Sequence, residues 1–598
     1  MLERVDLTIA AHAVAQPDSK AVFSGGRWLT YGELDDLVTG VAATLTSCVE
    51  AGGERPVVVI TGRSEWAVVA MLGVWRADCV YVPLAAGTPR ERLLEIFERV
   101  QPAALLTDRD NAEQLKGLWN ESPLLEIEQT IVACGSSAVT PPSAPQGPQL
   151  ACLVHTSGSS GPSKGVMMDH HALHNLVTHV VEPYSLGAQD RALHFGAFGW
   201  DSSIEEVILP LSKGASLVMR TDEADYGVPH FLEQLEKQSV SHLYLPTSYW
   251  HEICLELSRG TVRIPSCVRS VLIGGEAASL ADVTTWRTHV PGNVDLWNCY
   301  GLTETCVTST VYLDDRDLPV ERFQGLPLGS PCPSVTVAVL DDEMRSVPTG
   351  EAGELCIGGP GVARGYWGDP VATAKSFVPD PHGPGRLYRS GDLVRQDESG
   401  LLHFVGRVDR QVKIRGFRVN PVEVEGMLAL HPRVRKACVL ARTESSGLTG
   451  LVACLELVDD RDDTEDIAAF LKDRLPEFMV PRTLDILSAL PLLPNGKIDV
   501  NSLTSSPSAT DSPAPHRPTG TADGVQAIWC EVFGIESCDP HDDFIALGGN
   551  SLSGMRIAAR INESFGVEIR LRDILDARTI SAITDLISKL HEDDLQGE

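Results

Sequence analysis

The most constraining feature of this sequence is an alternation of short, uninterrupted apolar runs with segments of helical spacing. Val57-Val-Val-Ile60 is followed by a helical stretch from about Glu65 to Arg76, and then by Val80-Tyr-Val-Pro83. Before them, Leu34, Leu37, Val38, Val41 and Leu45 recur on one helix face; after them, apolar runs stand at Ala215–Met219 and Val271–Ile273. A strand that is apolar on both sides must be covered on both sides, and helical crossovers connect parallel neighbours. The pattern predicts a layered α/β domain with largely parallel sheets. Past about residue 330 the runs shorten and glycine-rich turns multiply, which predicts a β-rich continuation.

A chain of 598 residues implies several domains, because one hydrophobic core rarely grows beyond about 250–300 residues. Two stretches read as linkers. Gly135 to Gln149 is rich in Ser, Pro and Gly, and Ser505 to Gly520 has no apolar period at all. Beyond the second lies a final segment with its own helical pattern. A formal net charge of −32 argues against non-specific binding to nucleic acid or to an anionic membrane. No run approaches the roughly 18 apolar residues of a membrane span. The first residues carry acids where a signal peptide would carry bases. The 14 cysteines are scattered without a C-x-x-C pair, so neither a zinc site nor a disulfide framework is expected, and a reducing cytoplasm is.

One stretch carries obvious chemistry: Leu150-Ala-Cys-Leu-Val-His155-Thr-Ser-Gly-Ser-Ser-Gly-Pro-Ser-Lys164-Gly165. Its first half reads as a buried strand and its second half as a hydroxyl-rich glycine loop. Glycines let backbone N–H groups approach a polyphosphate closely, and hydroxyls and one lysine add donors and charge. It is not a Walker loop, since Lys164 follows Ser163 and precedes Gly165.

Further motifs follow in order: Asn298-Cys-Tyr-Gly-Leu-Thr-Glu304, Gly353-Glu-Leu-Cys-Ile-Gly-Gly with Ala363-Arg-Gly-Tyr366, Tyr388-Arg-Ser-Gly-Asp392, Gly406-Arg-Val-Asp409 through Gly416, Leu475-Pro-Glu-Phe-Met-Val-Pro481, and Pro494-Asn-Gly-Lys497. Together with the loop they resemble the adenylate-forming superfamily over roughly residues 8–503. The match is nearest to adenylation domains of nonribosomal peptide synthetases. Asp542-Asp-Phe-Ile-Ala-Leu-Gly-Gly-Asn-Ser551-Leu resembles a peptidyl carrier domain, whose serine bears 4′-phosphopantetheine. After it, Leu552, Met555, Ala559 and Ile561 read as one helix face. The resemblance implies an adenylation core over 1–408, a small α+β subdomain over 409–503 turning about Asp409, a linker over 504–521 and an all-α four-helix carrier over 522–598.

It also implies roles, with ATP, Mg²⁺ and 4′-phosphopantetheine as the groups served. Thr156, Ser157, Gly158, Ser159, Ser160, Gly161 and Lys164 would hold the departing phosphates. Gly275, Tyr300 and Thr303 would meet the adenine side of the nucleotide. Asp392 would accept from the ribose hydroxyls with Arg407 beside it. Glu304 would ligate Mg²⁺. Lys497 would bridge the substrate carboxylate and the phosphate as a compact point charge. Ser551 would stand at a helix N-terminus, where phosphate is stabilised.

By the same resemblance the substrate pocket is Asp201, Ser202, Glu205, Tyr244, Leu272, Gly274, Cys299, Val307 and Thr308. Asp201 would pair with an α-ammonium group and so select an amino acid. A carboxylate at Glu205 is costly in an apolar cleft unless paired. Either a substrate side chain donates to it, which favours histidine or a basic residue, or a protein cation neutralises it. Three readings stand at this point. The first is a free-standing adenylation–carrier enzyme working with a phosphopantetheinyl transferase, a separate tailoring or condensation enzyme and a small MbtH-like activator. The second is an acyl or CoA ligase with a fused carrier, acting on a non-amino acid. The third is a catalytically inactive module that only presents the carrier. Asp201 and Ser551 speak against the second, and the joint presence of Lys164, Glu304, Asp392, Arg407 and Lys497 against the third.

Overall fold

The computed structural model describes residues 4–50, 53–133, 149–158, 161–180, 184–220, 227–320, 325–414, 417–443, 449–458, 464–487, 490–491, 500, 503, 521–533, 535, 537–544, 547, 549 and 551–596. Lys497, Ser159, Ser160, Asn550 and both linkers, apart from Gln149, therefore lie outside the described residues. The chain separates into two compact units: residues 1–221, 238–251 and 266–420, and residues 222–237, 252–265 and 421–598.

In the first unit the apolar runs are strands, as their composition predicts. Leu124–Glu126, Ala104–Thr107, Pro56–Thr61, Val80–Ala85, Leu150–Gly158 and Gly161–Asp169 form one six-stranded sheet, parallel except for the final pair. A nine-stranded sheet has a central parallel block. It contains Lys20–Ser24, Ser216–Met219, Arg191–His194, His242–Pro246, Ser270–Gly274 and Asp295–Tyr300, flanked by antiparallel edge strands. The predicted β-rich continuation is an antiparallel sheet built on Ala352–Gly358, Arg386–Gln396 and Leu402–Arg407.

The helix Tyr31–Cys48 shows how local sequence sets these elements. Thr30 and Glu33 cap its start reciprocally, each side chain taking the other's backbone N–H. Leu34, Val38, Val41 and Leu45 are buried at helical spacing. It packs so closely on the helix Glu65–Arg76 that a Cβ on Gly73 would stand 2.6 Å from a Val41 methyl. Burial of both faces is why Glu65–Arg76 reads as apolar nearly throughout.

The second unit holds a three-stranded sheet, with Val434–Thr443 antiparallel and Thr483–Ile486 parallel to Thr449–Leu457. It also holds the helices Thr521–Phe533, Ser551–Phe565, Leu571–Ala577 and Ile580–Gln596. These four bury Trp529, Ile557, Ile561, Ile574, Ile583 and Ile587 around Phe544. The sequence places Ala559 on the apolar face of Ser551–Phe565; the structure puts Ile557 and Ala558 there instead and leaves Ala559 half-buried. Four-residue spacing from Ile557 reaches Ile561, whereas Ala559 is turned away by nearly half a circle.

Candidate active site

The glycine stretch is mostly strand. Leu150–Gly158 and Gly161–Asp169 pair antiparallel, with Thr156 opposite Lys164 and Gly158 opposite Gly161. The sequence places Thr156 to Lys164 in a loop because serines and glycines are poor strand formers. Here the hairpin's second strand is also held by a distant segment: Arg364 N–H donates to Met167 O, Met167 N–H to Gly365 O and Trp367 N–H to Gly165 O. Gly365 sits at φ +142°, where a Cβ would come within 2.3 Å of Thr373. Glycine is required for that approach.

Tyr366, next in chain, links the hairpin to the other signature residues. The Lys164 ammonium lies 4.8 Å from the centre of its ring, and its hydroxyl donates to Glu304 Oε1 at 2.9 Å. Burial pushes the Lys164 pKa down, opposed by the charges of Asp369 and Glu304. Glu304 stands in the turn Thr303–Thr305 and is buried. Arg418 spans both its oxygens, at 3.2 and 3.4 Å. The turn exists because Gly301 allows it: a Cβ there would fall 1.7 Å from Val307 O. Cys306 and Val307 follow at φ +60° and +70°, and a β-branched residue at that φ is a conformational outlier that surrounding structure must enforce.

Asp392 is buried on the strand Arg386–Gln396. Tyr300 donates its hydroxyl to Asp392 Oδ2 at 2.6 Å, and Arg407 ion-pairs with Oδ1. Arg407 faces Asp392 directly in the sheet register, and its Nε also reaches Asp409 at 2.7 Å. Just beyond Asp409 comes a short hairpin, Val412–Ile414 with Phe417–Val419. It lays Phe417 against Trp200, ring centres 4.3 Å apart, sends Arg418 to Glu304 and holds Lys413 5.5 Å from the Tyr300 ring centre. The charges of Asp392 and Asp201 both favour the Lys413 cation, against the larger effect of burial, which lowers its pKa.

Asp201 and Glu205 are one turn apart on the helix Asp201–Ser212 and so share a face. Burial raises the Asp201 pKa; the Thr303 hydroxyl and the Ser202 N–H act against it. Ser202 itself is exposed. Glu205 is 4% exposed and accepts one hydrogen bond, from Thr308 Oγ1 at 2.9 Å. Among the described residues no arginine, lysine or histidine pairs with it. Burial pushes its carboxyl up to about 7. Of the other predicted lining residues, Tyr244, Leu272, Gly274 and Cys299 lie on three adjacent parallel strands, Tyr244 beside Leu272 and Gly274 beside Cys299. Gly274 and Cys299 stand at the carboxyl ends of their strands, where open α/β sheets receive ligands, and Tyr244 and Leu272 stand mid-strand. Gly275 follows at φ +89°.

Sequence alone assigns no role to Tyr366, Arg418, Lys413 or Tyr184, which donates to or accepts from Cys299 Sγ at 3.3 Å. Lys413 and Arg418 lie within or just past a quoted motif, so a signal exists for them. Tyr184 has none, being an isolated aromatic outside every motif.

Among the described residues no group of three or more acids, cysteines or histidines gathers as a metal cage. Glu304 nevertheless suits Mg²⁺, which is commonly held by one or two carboxylates with substrate phosphates completing the shell. Phosphopantetheine is carried on a serine hydroxyl, and the helix Ser551–Phe565 begins with a serine.

Comparison with known proteins agrees with this architecture. The model of AMP-binding enzymes matches residues 9–367, that of the AMP-binding enzyme C-terminal domain matches 423–497, and that of the phosphopantetheine attachment site matches 523–587. The chain belongs to the AMP-binding enzymes, ATP-dependent adenylate-forming ligases, here in an adenylation–carrier fusion of the nonribosomal peptide synthetase kind. It is 37% identical over 588 residues to a phosphinothricin tripeptide synthetase of Streptomyces viridochromogenes, covering 97% of this chain and 52% of that protein. It is 35% identical over 593 residues to a linear gramicidin synthase of Brevibacillus parabrevis, covering 96% of this chain and 11% of that protein. The chain thus spans about half, or far less, of these relatives. A solved NRPS protein containing adenylation and PCP domains has the same fold, with a TM-score of 0.82 at 22% identity, covering 98% of this chain and 97% of that one. Among the described residues, no helix is long and apolar enough to cross a membrane.

Proposed function

We propose that this chain activates an amino acid with ATP, forming an aminoacyl adenylate and releasing pyrophosphate, and loads the acyl group onto its own carrier at Ser551. One observation supports this most: Lys164, Glu304 and Asp392, far apart in sequence, share one compact unit, with Lys164 and Glu304 linked through Tyr366 and with Tyr300 and Arg407 on Asp392. That is a cation for phosphates, a carboxylate for a metal and a carboxylate for a diol.

In the first half-reaction a substrate carboxylate oxygen bonds to the α-phosphorus and the bond to pyrophosphate breaks. The work of the chain is positioning and charge stabilisation. Thr156 to Gly161 and Lys164 hold the β- and γ-phosphates; Gly275, Tyr300 and Thr303 border the adenosine; Asp392, oriented by Tyr300 and Arg407, accepts from the ribose. Glu304 would hold Mg²⁺, which neutralises phosphate charge, once Arg418 yields its oxygens. Lys497 bridges the two anions as they meet. In the second half-reaction the acyl carbon passes to a thiol and AMP leaves. Phosphopantetheine on Ser551 supplies that thiol and the reach to present it. The two half-reactions use one site, with residues 409–503 turning about Asp409 between the core, 1–408, and the tether and carrier, 504–521 and 522–598. A phosphopantetheinyl transferase primes the carrier, and a separate tailoring or condensation enzyme takes the product, with an MbtH-like activator as a further partner.

The Glu205 carboxylate, which has a hydroxyl but no cation beside it among the described residues, supports an amino acid whose side chain donates to it: histidine or a basic residue. The test is pyrophosphate exchange together with intact mass spectrometry of phosphopantetheinylated protein given Mg-ATP and pooled amino acids. A single acyl increment is expected, and Lys497→Ala is expected to lose exchange by at least a hundredfold. Near-normal exchange in that variant would refute the role of Lys497, and absence of any increment on a primed carrier would refute the activity.

A further inference from the structure

Two thiols in the carrier stand close to bonding distance, and the proposed chemistry uses neither. Cys530 lies on the helix Thr521–Phe533 and Cys538 in the segment that follows, with their sulfurs 3.5 Å apart. A disulfide holds its sulfurs about 2.0 Å apart, so the pair must close by only about 1.5 Å to bond. The two are not equivalent. Cys530 is half-buried, whereas Cys538 is 6% exposed and belongs to the carrier's apolar core. Burial raises the Cys538 pKa, and the Cys530 thiol and the charges of Asp542 and Asp539 raise it further. Cys530 is thus the sulfur that an outside reagent meets first, with Cys538 placed to resolve the product.

The pair also bears on the carrier serine. Trp529, next to Cys530, is fully buried and packs edge-on against Phe533 and Phe544, ring centres 5.7 Å from each, so the helix is firmly seated. Closure must therefore move Cys538. Its segment is tied toward the next helix by successive hydrogen bonds: Asp539 N–H donates to Asp542 Oδ2 at 2.6 Å, and Gly549 N–H donates to Phe544 O at 2.7 Å. A Cβ on Gly549 would stand 2.3 Å from Phe544 O, which leaves that end little slack. Ser551 begins its helix two residues later.

We propose that Cys530 and Cys538 form a reversible disulfide, and that this bond slows the loading of phosphopantetheine onto Ser551 without affecting adenylation. The proposal rests on the reading of Ser551 as the attachment serine. The oxidant is a low-molecular-weight disulfide of the glutathione kind. Cys530, its proton lost to solvent, attacks one sulfur of that disulfide, forming a mixed disulfide and releasing one small thiolate. Cys538, its proton lost in turn, attacks the Cys530 sulfur and expels the second. Two protein thiols and one small disulfide become one protein disulfide and two small thiols, and excess small thiol runs both steps backward. In a reducing compartment the thiols prevail, and the bond forms when the small-thiol pool is oxidised.

The test equilibrates the unprimed full-length protein with graded ratios of reduced to oxidised glutathione, traps free thiols with N-ethylmaleimide, cuts after Phe533 and reads the peptides by mass spectrometry. The peptides bearing Cys530 and Cys538 are expected to be joined at oxidising ratios and separately alkylated after dithiothreitol. Both cysteines alkylated, or each capped by glutathione, at the most oxidising ratio would overturn the disulfide. On the same samples, transfer of phosphopantetheine from coenzyme A by a phosphopantetheinyl transferase is expected to slow about tenfold, as displacement of a reacting group does, and to recover in dithiothreitol. A joined pair with an unchanged transfer rate would overturn the control of loading. Pyrophosphate exchange slowed in proportion would overturn a control confined to the carrier. Cys530→Ser is expected to be primed at the reduced wild-type rate at every glutathione ratio; slowing in that variant would place the response on other cysteines and overturn the proposal. Failure of the reduced wild type to accept phosphopantetheine would refute Ser551 as the attachment serine, and the control of loading with it, while the peptide measurement still decides the disulfide.

Discussion

Glu205 and Glu206 are neighbours on one helix, yet they serve different surroundings. Glu206 accepts the backbone N–H groups of Phe195 at 2.8 Å and Gly196 at 3.0 Å, and so ties down the chain that leads to Trp200 and Asp201. Burial pushes its carboxyl up from 4.5 to about 8, with the Glu205 charge adding to the rise and the two N–H groups and Arg63 opposing it. The native state therefore keeps a proton that the unfolded chain releases above about 4.5. Stability contributed by the protonated acid is present at low pH and declines as pH rises toward 8, by up to ~1.4 kcal/mol per pH unit for one such group. Glu206→Gln keeps an acceptor for both N–H groups and removes this titration. In urea denaturation followed between pH 5 and 8.5, the variant is expected to lose less stability with rising pH than the wild type; parallel curves would show that Glu206 is ionised throughout. Glu205 shifts the same way, to about 7, so the variant's profile is expected to flatten without becoming level.

At the scale of elements, the site depends on close backbone approaches more than on side-chain reach. The turn holding Thr303 and Glu304 folds back so tightly that Gly301 faces Val307 O, with no room for a methyl group. Gly301→Ala is expected to cost about 3 kcal/mol, the upper range for overpacking, and to lower exchange activity through displacement of Glu304 and Thr308. Urea unfolding and exchange assays on the same preparation separate the two effects. If both stay within a factor of two of wild type, the turn has a second conformation available. The hairpin Val412–Val419 works differently. It brings two cations to the site's carboxylates: Arg418 pairs with Glu304, and Lys413 is favoured as a cation by the charges of Asp392 and Asp201, while Asp392 keeps Arg407 as its own partner. The hairpin therefore offsets part of the carboxylate repulsion at the site.

For the whole molecule, the chemistry divides between a unit with the carboxylates and lysine and a second unit that includes the carrier helices. Ser551→Ala is expected to leave amino-acid-dependent pyrophosphate exchange within about twofold of wild type, because the Ser551 hydroxyl carries the thiol arm of the second half-reaction and no group proposed for the first. The same variant is expected to take up no phosphopantetheine and no acyl group by intact mass. Loss of exchange in a folded Ser551→Ala protein would show that adenylation depends on the carrier serine.

The sequence by itself determined the apolar strands and periodic helices and their order, but not that the glycine stretch pairs as strands. Continuous apolar runs such as Val57–Ile60 become strands wherever both faces are covered, and the capped, periodic stretch Tyr31–Cys48 becomes a helix, because these depend on near neighbours and on local burial. It also marked Lys164, Glu304, Asp392 and Arg407 through motifs whose glycines demand particular backbone paths. Only the tertiary structure decided which of these residues meet. Tyr366 bridges Lys164 and Glu304 across more than sixty residues of chain, and Arg418 reaches Glu304 from 114 residues away, pairings that no local spacing encodes. The same holds for what is missing: that Glu205 finds a hydroxyl but no cation among the described residues, and that Tyr244 finds nothing, are facts about the packing of three strands and a helix. Local chemistry selects the conformation of each segment, but the electrostatic partner of a buried group is fixed by whatever the folded chain brings within a few ångströms of it.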